Sequence, residues 1–159
     1  MKLNSIGLSA EKSDALSKDL NSLLANFQTY YQNLRGIHWN IKGKRFFDLH
    51  LKFEELYTDA NTKVDAIAER ILTLGGVPYH TFEDYTAHAR VPVGKNVSQD
   101  EDAIRLIVDS LRELLLIERR ILDASADAGD EGTNAMMSDF ITEQEKTVWM
   151  MKAWLAEEI

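Results

Sequence analysis

Both prolines of this chain, Pro78 and Pro92, fall in one short stretch near its middle. Nothing therefore stops a helix over long runs on either side. On each side apolar residues recur at the i, i+3, i+4 spacing of one helical face. The first run starts near Ser9, a plausible N-cap, and carries Leu16, Leu20, Leu23, Leu24, Phe27, Tyr30, Leu34 and Ile37. The second follows Gly43, carries Phe46, Leu49, Phe53, Leu56, Val64, Ile67 and Ile71, and ends at Gly75-Gly76 with Pro78 beyond. The third opens on Ser98-Gln99-Asp100-Glu101, which reads as a capping box, and carries Ile104, Ile107, Leu111, Leu114, Leu115, Ile121 and Leu122. After a break at Gly129–Gly132, the fourth carries Met136, Met137, Phe140, Ile141, Val148, Met151 and Leu155.

The stretch from about 77 to 97 joins the second and third runs. Thr81 to Asp84 looks like a small cap, which predicts a short helix over 82–89. No period-2 pattern competes, and there is no internal repeat. The expectation is an all-α fold: a four-helix bundle with a short extra helix in the connection between helices two and three, built as one domain over 1–159. The apolar stripes are core.

Composition narrows the function. There is no cysteine among the 159 residues, so a disulfide scaffold and any thiolate metal site are excluded. No apolar run approaches the roughly 18 residues of a membrane span. The start, MKLNSIGLSAEKSD, lacks the pattern of a secretory signal, and a cytoplasmic location is expected. Acidic residues outnumber basic ones, 26 to 18, for a net charge of -8. That balance opposes general attraction to phosphate backbones and suits the collection of cations.

Without cysteine, His, Asp and Glu are the available metal ligands. His38 closes the first helix and His50 opens the second; Glu54 lies i+4 from His50, and Asp65 and Glu69 form another i, i+4 pair. From His50 to Asp65 is about 22 Å of helix at 1.5 Å per residue, so they cannot share one ion within a chain. Di-iron bundles commonly carry Glu-x-x-His pairs facing inward, and none occurs here. Either there is no such site, or ligands meet between two chains. In a two-fold dimer with second helices antiparallel, His50 of one copy would approach Asp65 and Glu69 of the other, with the axis near Tyr57 to Ala60. The acid pair has a plainer reading as a solvated helix face. His80 and His88 read as surface residues of the connection, and Glu118 as a structural charge paired with Arg119 or Arg120.

The segments His38-Trp39-Asn40-Ile41-Lys42-Gly43, Phe46-Phe47-Asp48-Leu49-His50, Phe53-Glu54-Glu55-Leu56-Tyr57 and Val64-Asp65-Ala66-Ile67-Ala68-Glu69-Arg70 resemble the Dps family of mini-ferritins. That family's pattern is a His, a second His 12 residues on, an Asp 15 further and a Glu 4 beyond, here His38, His50, Asp65 and Glu69 without a gap. Leu74-Gly75-Gly76 and Trp149-Met150-Met151 also look familial.

The resemblance implies a ferritin-like bundle in a homo-oligomeric, hollow twelve-subunit shell. It implies ferroxidase centres at two-fold interfaces, with His38 and His50 from one chain and Asp65 and Glu69 from its neighbour. Glu54 matches an additional acidic ligand, and Trp39 an aromatic residue that supplies electrons or shields the centre. The implied activity is oxidation of Fe(II) by hydrogen peroxide or oxygen, with storage of Fe(III) as mineral and protection against oxidative stress. Asp130 and Asp139, with Asp127 and Glu131 nearby, match an acidic inlet at three-fold axes. Family members that condense DNA use a lysine-rich N-terminal extension, whereas residues 1–20 here hold Lys2, Lys12 and Lys18 against Glu11, Asp14 and Asp19. Tight DNA binding is not expected. The alternative is a nucleoid-condensing protein with little iron chemistry.

Overall fold

The computed structural model describes Met1–Ile159 in full. The chain forms α1 (Ala10–Asn40), α2 (Phe46–Thr73), the short α3 (Phe82–His88), α4 (Asp100–Ala128) and α5 (Glu131–Trp154), with no strand beyond an isolated bridge between Leu3 and Ser9. This is the all-α bundle and short connecting helix that the periodicity predicts. No helix is long and apolar enough to cross a membrane.

Local chemistry sets most of the boundaries. Ser9 caps α1 through the Lys12 amide, and Thr81 caps α3 through the Asp84 amide. Gly129 ends α4 at φ 68°, a left-handed conformation that costs a residue without Cβ little. The start of α4 departs from expectation. Its N-cap is Gln99, and no side chain caps the helix. Ser98 instead lies outside, its carbonyl accepting from the Lys42 amide at 3.0 Å. That tie to the α1–α2 turn draws Ser98 out of the capping position. The acids Asp100, Glu101 and Asp102 still occupy the first turn, where they oppose the helix dipole.

Helices α1 and α2 form one antiparallel pair and α4 and α5 another, with α1 packed on α4. The Cβ of a residue at position 76 would collide with Ser17, so α2 ends beside the start of α1. The Lys42–Ser98 bond puts the start of α4 at the bundle's other end. The connection thus travels the full length of the bundle along α1. Three buried asparagines of α1 hold it there. Asn21 donates to the Val77 carbonyl and accepts from the Tyr79 amide. Asn26 accepts from the amides of Arg90 and Val91. Asn33 donates to the Pro92 carbonyl and accepts from the Gly94 amide. Side-chain amides here replace the backbone partners a strand would supply.

The core is the continuous apolar cluster that the four stripes enclose, with Phe27, Phe53, Leu24, Ile67, Ile71, Ile104 and Ile107 fully buried. Removing one such side chain to alanine costs about 2–5 kcal/mol. A carboxyl and its amide partner also sit inside this core. Glu118 is wholly buried, and both its oxygens accept from Gln144 Nε2, at 2.6 and 2.7 Å. The expected pairing with Arg119 or Arg120 does not form; Arg119 reaches Glu145 at 2.9 Å. Successive helical residues point about 100° apart, so a neighbour in sequence is a poor partner for an inward side chain. Burial pushes the Glu118 carboxyl up to about 8, against the opposing pull of Gln144, Lys63 and Arg119. Nearby, Lys63 bridges Asp59 at 2.6 Å and Glu143 at 2.7 Å. Burial opposes its charge, and the two carboxylates outweigh burial and raise it.

Candidate metal centre

The α1–α2 turn brings the two histidines together. In an antiparallel hairpin turning at residue 44, positions equally far on either side face each other. His38 and His50 are such a pair, and Tyr31 and Tyr57 are another. The imidazoles of His38 and His50 stack with centroids 3.8 Å apart and planes 10° from parallel. The rings of Tyr31 and Tyr57 meet edge to face at 6.0 Å.

The histidines then cross-bond. His38 Nδ1 lies 2.6 Å from the His50 carbonyl, and His50 Nδ1 lies 2.7 Å from the His38 carbonyl. A carbonyl oxygen only accepts, so each Nδ1 carries the proton and each Nε2 of a neutral ring keeps its lone pair. This is the orientation in which a histidine ligates a metal, its other nitrogen held by a backbone oxygen. Phe46 stacks on the outer face of His50 at 4.9 Å, and the Tyr57 ring meets His38 edge-on at 5.3 Å. Tyr57 also donates to Glu54 at 3.3 Å. The hydroxyl stays protonated, its acidity lowered first by desolvation and then by Glu54.

Tyr57 and Phe46 stand at this site beyond the ligand residues that the sequence marks. The signal for Tyr57 was present: positions 50, 54 and 57 share one helical face.

The other expected ligands lie along the outer side of α2. Its outward stripe runs Phe47, Leu51, Glu54, Thr58, Thr62, Asp65, Glu69 and Leu72, and every one is exposed. Within the chain, no three His, Asp or Glu side chains converge on a point that could hold a metal ion. The structure thus joins His38 with His50, brings Glu54 to their edge through Tyr57, and leaves Asp65 and Glu69 apart. Trp39 is 57% exposed, with the Arg35 guanidinium 4.8 Å above its ring. Phe47 and Leu51 are exposed as well, so the outer stripe of α2 is apolar at its start and carries acids further along.

The two expected inlet residues differ. Asp139 is exposed on α5, as are Asp127 and Glu131 nearby. Asp130 is not open to solvent. Its side chain is 1% exposed, caps α5 through the Thr133 amide at 3.0 Å, and pairs with Arg70 of α2. The expectation of Asp130 as a channel-lining acid is corrected on this point: its carboxylate is consumed by the helix end. Asp139, nine residues further, points to the opposite side of the helix at about 100° per residue.

Residues 17–158 match the ferritin-like domain family. The chain is similar to a Dps protein of Vibrio cholerae O1, described as a member of a broad superfamily of ferritin-like diiron-carboxylate proteins. The two share 49% identity and a TM-score of 0.96, over 98% of each chain. It is also similar to a Dps structure from Bacillus brevis, with 32% identity and a TM-score of 0.88, over 91% of this chain and 97% of that one. Among curated relatives, a DNA protection during starvation protein of Porphyromonas gingivalis is 40% identical over 148 residues, 93% of each chain.

Proposed function

The chain belongs to the Dps branch of the ferritin-like family, and from that premise we propose that it is an iron-oxidising, iron-storing cage protein whose oxidation centre is divided between two copies. The observation that carries this reading is the crossed pair of His38 and His50. It prepares two lone pairs for metal on a face that holds too few ligands to bind one. A second copy, laid antiparallel about the middle of α2, supplies Asp65 and Glu69 to these histidines. The exposed apolar residues Trp39, Phe47, Leu51 and Leu72 support such a contact, since burying them against a copy removes apolar area from water.

The stacking also supports two ions per centre. The two imidazoles lie in near-parallel planes with centroids 3.8 Å apart, so one ion would not be held by both Nε2 atoms. Each histidine therefore serves its own ion. The carboxylates of Asp65, Glu69 and Glu54 complete both positions. Hard oxygen donors suit iron, and so small a share of imidazole leaves Fe(III) free to move on to mineral.

Two Fe(II) each give one electron to hydrogen peroxide. Its O–O bond breaks, two protons are taken up, and two waters form, so no hydroxyl radical is released. Oxygen is the second oxidant this site would accept. Trp39 and Tyr57, next to the histidines, are the oxidisable side chains at hand should an electron be missing. The shell of twelve copies encloses the ferric mineral, and Asp127, Glu131 and Asp139 are the acids open to an inlet. Tight binding to duplex DNA is not expected: twelve chains of charge -8 repel its phosphates, and a gel shift at physiological salt should show no robust complex.

The test is Fe(II) loading without oxygen, then peroxide, followed by absorbance. The wild type oxidises iron rapidly and keeps it soluble. A His50→Ala, Asp65→Ala double variant loses the fast phase by about 100-fold, since even outer partners of metal ligands are worth 10–100-fold, while light scattering still reports the shell. Equal rates for both proteins would remove the assigned centre.

A further inference from the structure

We infer that Arg70 is a positioning residue for the oxidation centre, locking the last turns of α2 to the start of α5 so that Asp65 and Glu69 are offered in a fixed direction. The inference rests on the proposed centre and adds a residue that touches no iron. Arg70 follows Glu69 directly, and its side chain leaves the stripe that carries the two acids. It reaches across to α5. Nε donates to Thr133 Oγ1 at 2.9 Å and Nη2 donates to Asp130 Oδ1, while Thr133 itself donates to Asp130 from both its amide and its hydroxyl. The Asp130 side chain is 1% exposed and that of Arg70 17% exposed, so this is a largely desolvated fork rather than a loose surface pair.

Gly132 makes the fit closer still. A Cβ at that position would lie 2.9 Å from both terminal nitrogens of the Arg70 guanidinium. The end of an arginine could ordinarily swing aside. Here it cannot without giving up its bonds to Thr133 and Asp130. A helix is free to roll about its axis by small angles unless side chains key it to a neighbour, and a roll of α2 swings Asp65 and Glu69 together. Arg70 is the key on the far side of the acid pair, as the Lys63–Glu143 bridge is on the near side. At the other end His38 and His50 bond across the hairpin; in the acid-bearing half, Lys63 meets Glu143 of α5 before Asp65, and Arg70 fixes α2 just beyond Glu69.

Two variants separate direction from simple stability. Arg70→Lys keeps the charge and loses the planar fork. Gly132→Ala keeps every hydrogen-bonding group and displaces the guanidinium. Each is compared with wild type and with Asp65→Ala in two measurements: calorimetric binding of Zn(II) to the metal-free shell, and the Fe(II) concentration at half-maximal oxidation rate.

The expected result is that both variants assemble and weaken Zn(II) binding roughly 10-fold, the scale of lost outer support. Half-saturating Fe(II) should rise by a similar factor with little change in maximal rate, while Asp65→Ala abolishes the fast phase. If Asp65→Ala is impaired and Gly132→Ala binds Zn(II) like wild type, the positioning role is overturned and the centre stands. The same holds if Arg70→Lys merely fails to assemble while Gly132→Ala is unaffected. If Asp65→Ala itself matches wild type, the centre is wrong, and the role of Arg70 falls with it.

Discussion

Two polar clusters of this bundle answer the same problem in opposite ways. In the interior, Glu118 is surrounded by core and receives both its hydrogen bonds from one neighbour, Gln144, with the Lys63 ammonium close enough to favour its charge. At the α1–α2 hairpin, the buried His38 and half-buried His50 satisfy one nitrogen each and leave the other without a partner, while the exposed Asp65 and Glu69 side chains meet nothing within the chain. The interior cluster closes on itself; the surface cluster is unfinished. A bundle of this kind can hold metal in its middle when the inward positions carry Glu and His. Here the interior holds a carboxyl, an amide and an ammonium, and His38, His50, Asp65 and Glu69 lie outside that cluster.

The largest effect expected from this contrast is on stability against pH. Glu118 holds its proton more tightly in the folded chain, at about 8 against an ordinary 4.5. Between those values the folded state carries more bound proton than the unfolded state, so stability falls as pH rises. The contribution is complete below about 4.5 and is lost as pH passes through about 8. The slope for one such group approaches about 1.4 kcal/mol per pH unit. Glu118→Gln removes this dependence, so melting temperatures followed from pH 5 to 8 should converge at the acid end and favour the variant at the basic end. Iron oxidation should not change.

The next effect is smaller. Gln144→Leu leaves the Glu118 carboxyl buried with no donor, at a cost of about 1–3 kcal/mol, read as a lower melting temperature at pH 8 with oxidation again intact. Smallest is Glu54→Gln at the surface cluster. It keeps an acceptor for Tyr57 and removes one charge, so peroxide-driven oxidation should slow less than about 10-fold, with no shift in melting. A Glu118 variant that slowed oxidation as much as loss of Asp65 would erase the distinction between the clusters.

The contrast also marks what sequence can and cannot convey. Apolar periodicity reports which side of a helix faces inward. That is why four segments, their glycine stops and a short helix expected over 82–89, found at Phe82–His88, are legible; the His38, His50, Asp65 and Glu69 set comes from the family resemblance, not from periodicity. Periodicity is silent on which polar side chain of one helix meets which on another. Sequence adjacency points Glu118 to its arginine neighbours, whereas its partner is Gln144, 26 positions away. Asp130 was read as an open acid because nothing in its surroundings named Arg70. Ser98 reads as a cap because its bond to Lys42 joins residues 56 positions apart, beyond the reach of any local pattern. Spacing alone could place His38 and His50 near each other, but their exchange of backbone bonds depends on a turn whose centre falls at residue 44.

The three asparagines along α1 have a consequence of their own. Each link they make to the long connection joins an amide to a peptide group. None of those atoms gains or loses a proton in ordinary buffers, and none bears a net charge for dissolved ions to shield. While the acidic surface responds to salt and the core carboxyl to alkali, this seam keeps the same grip in either medium.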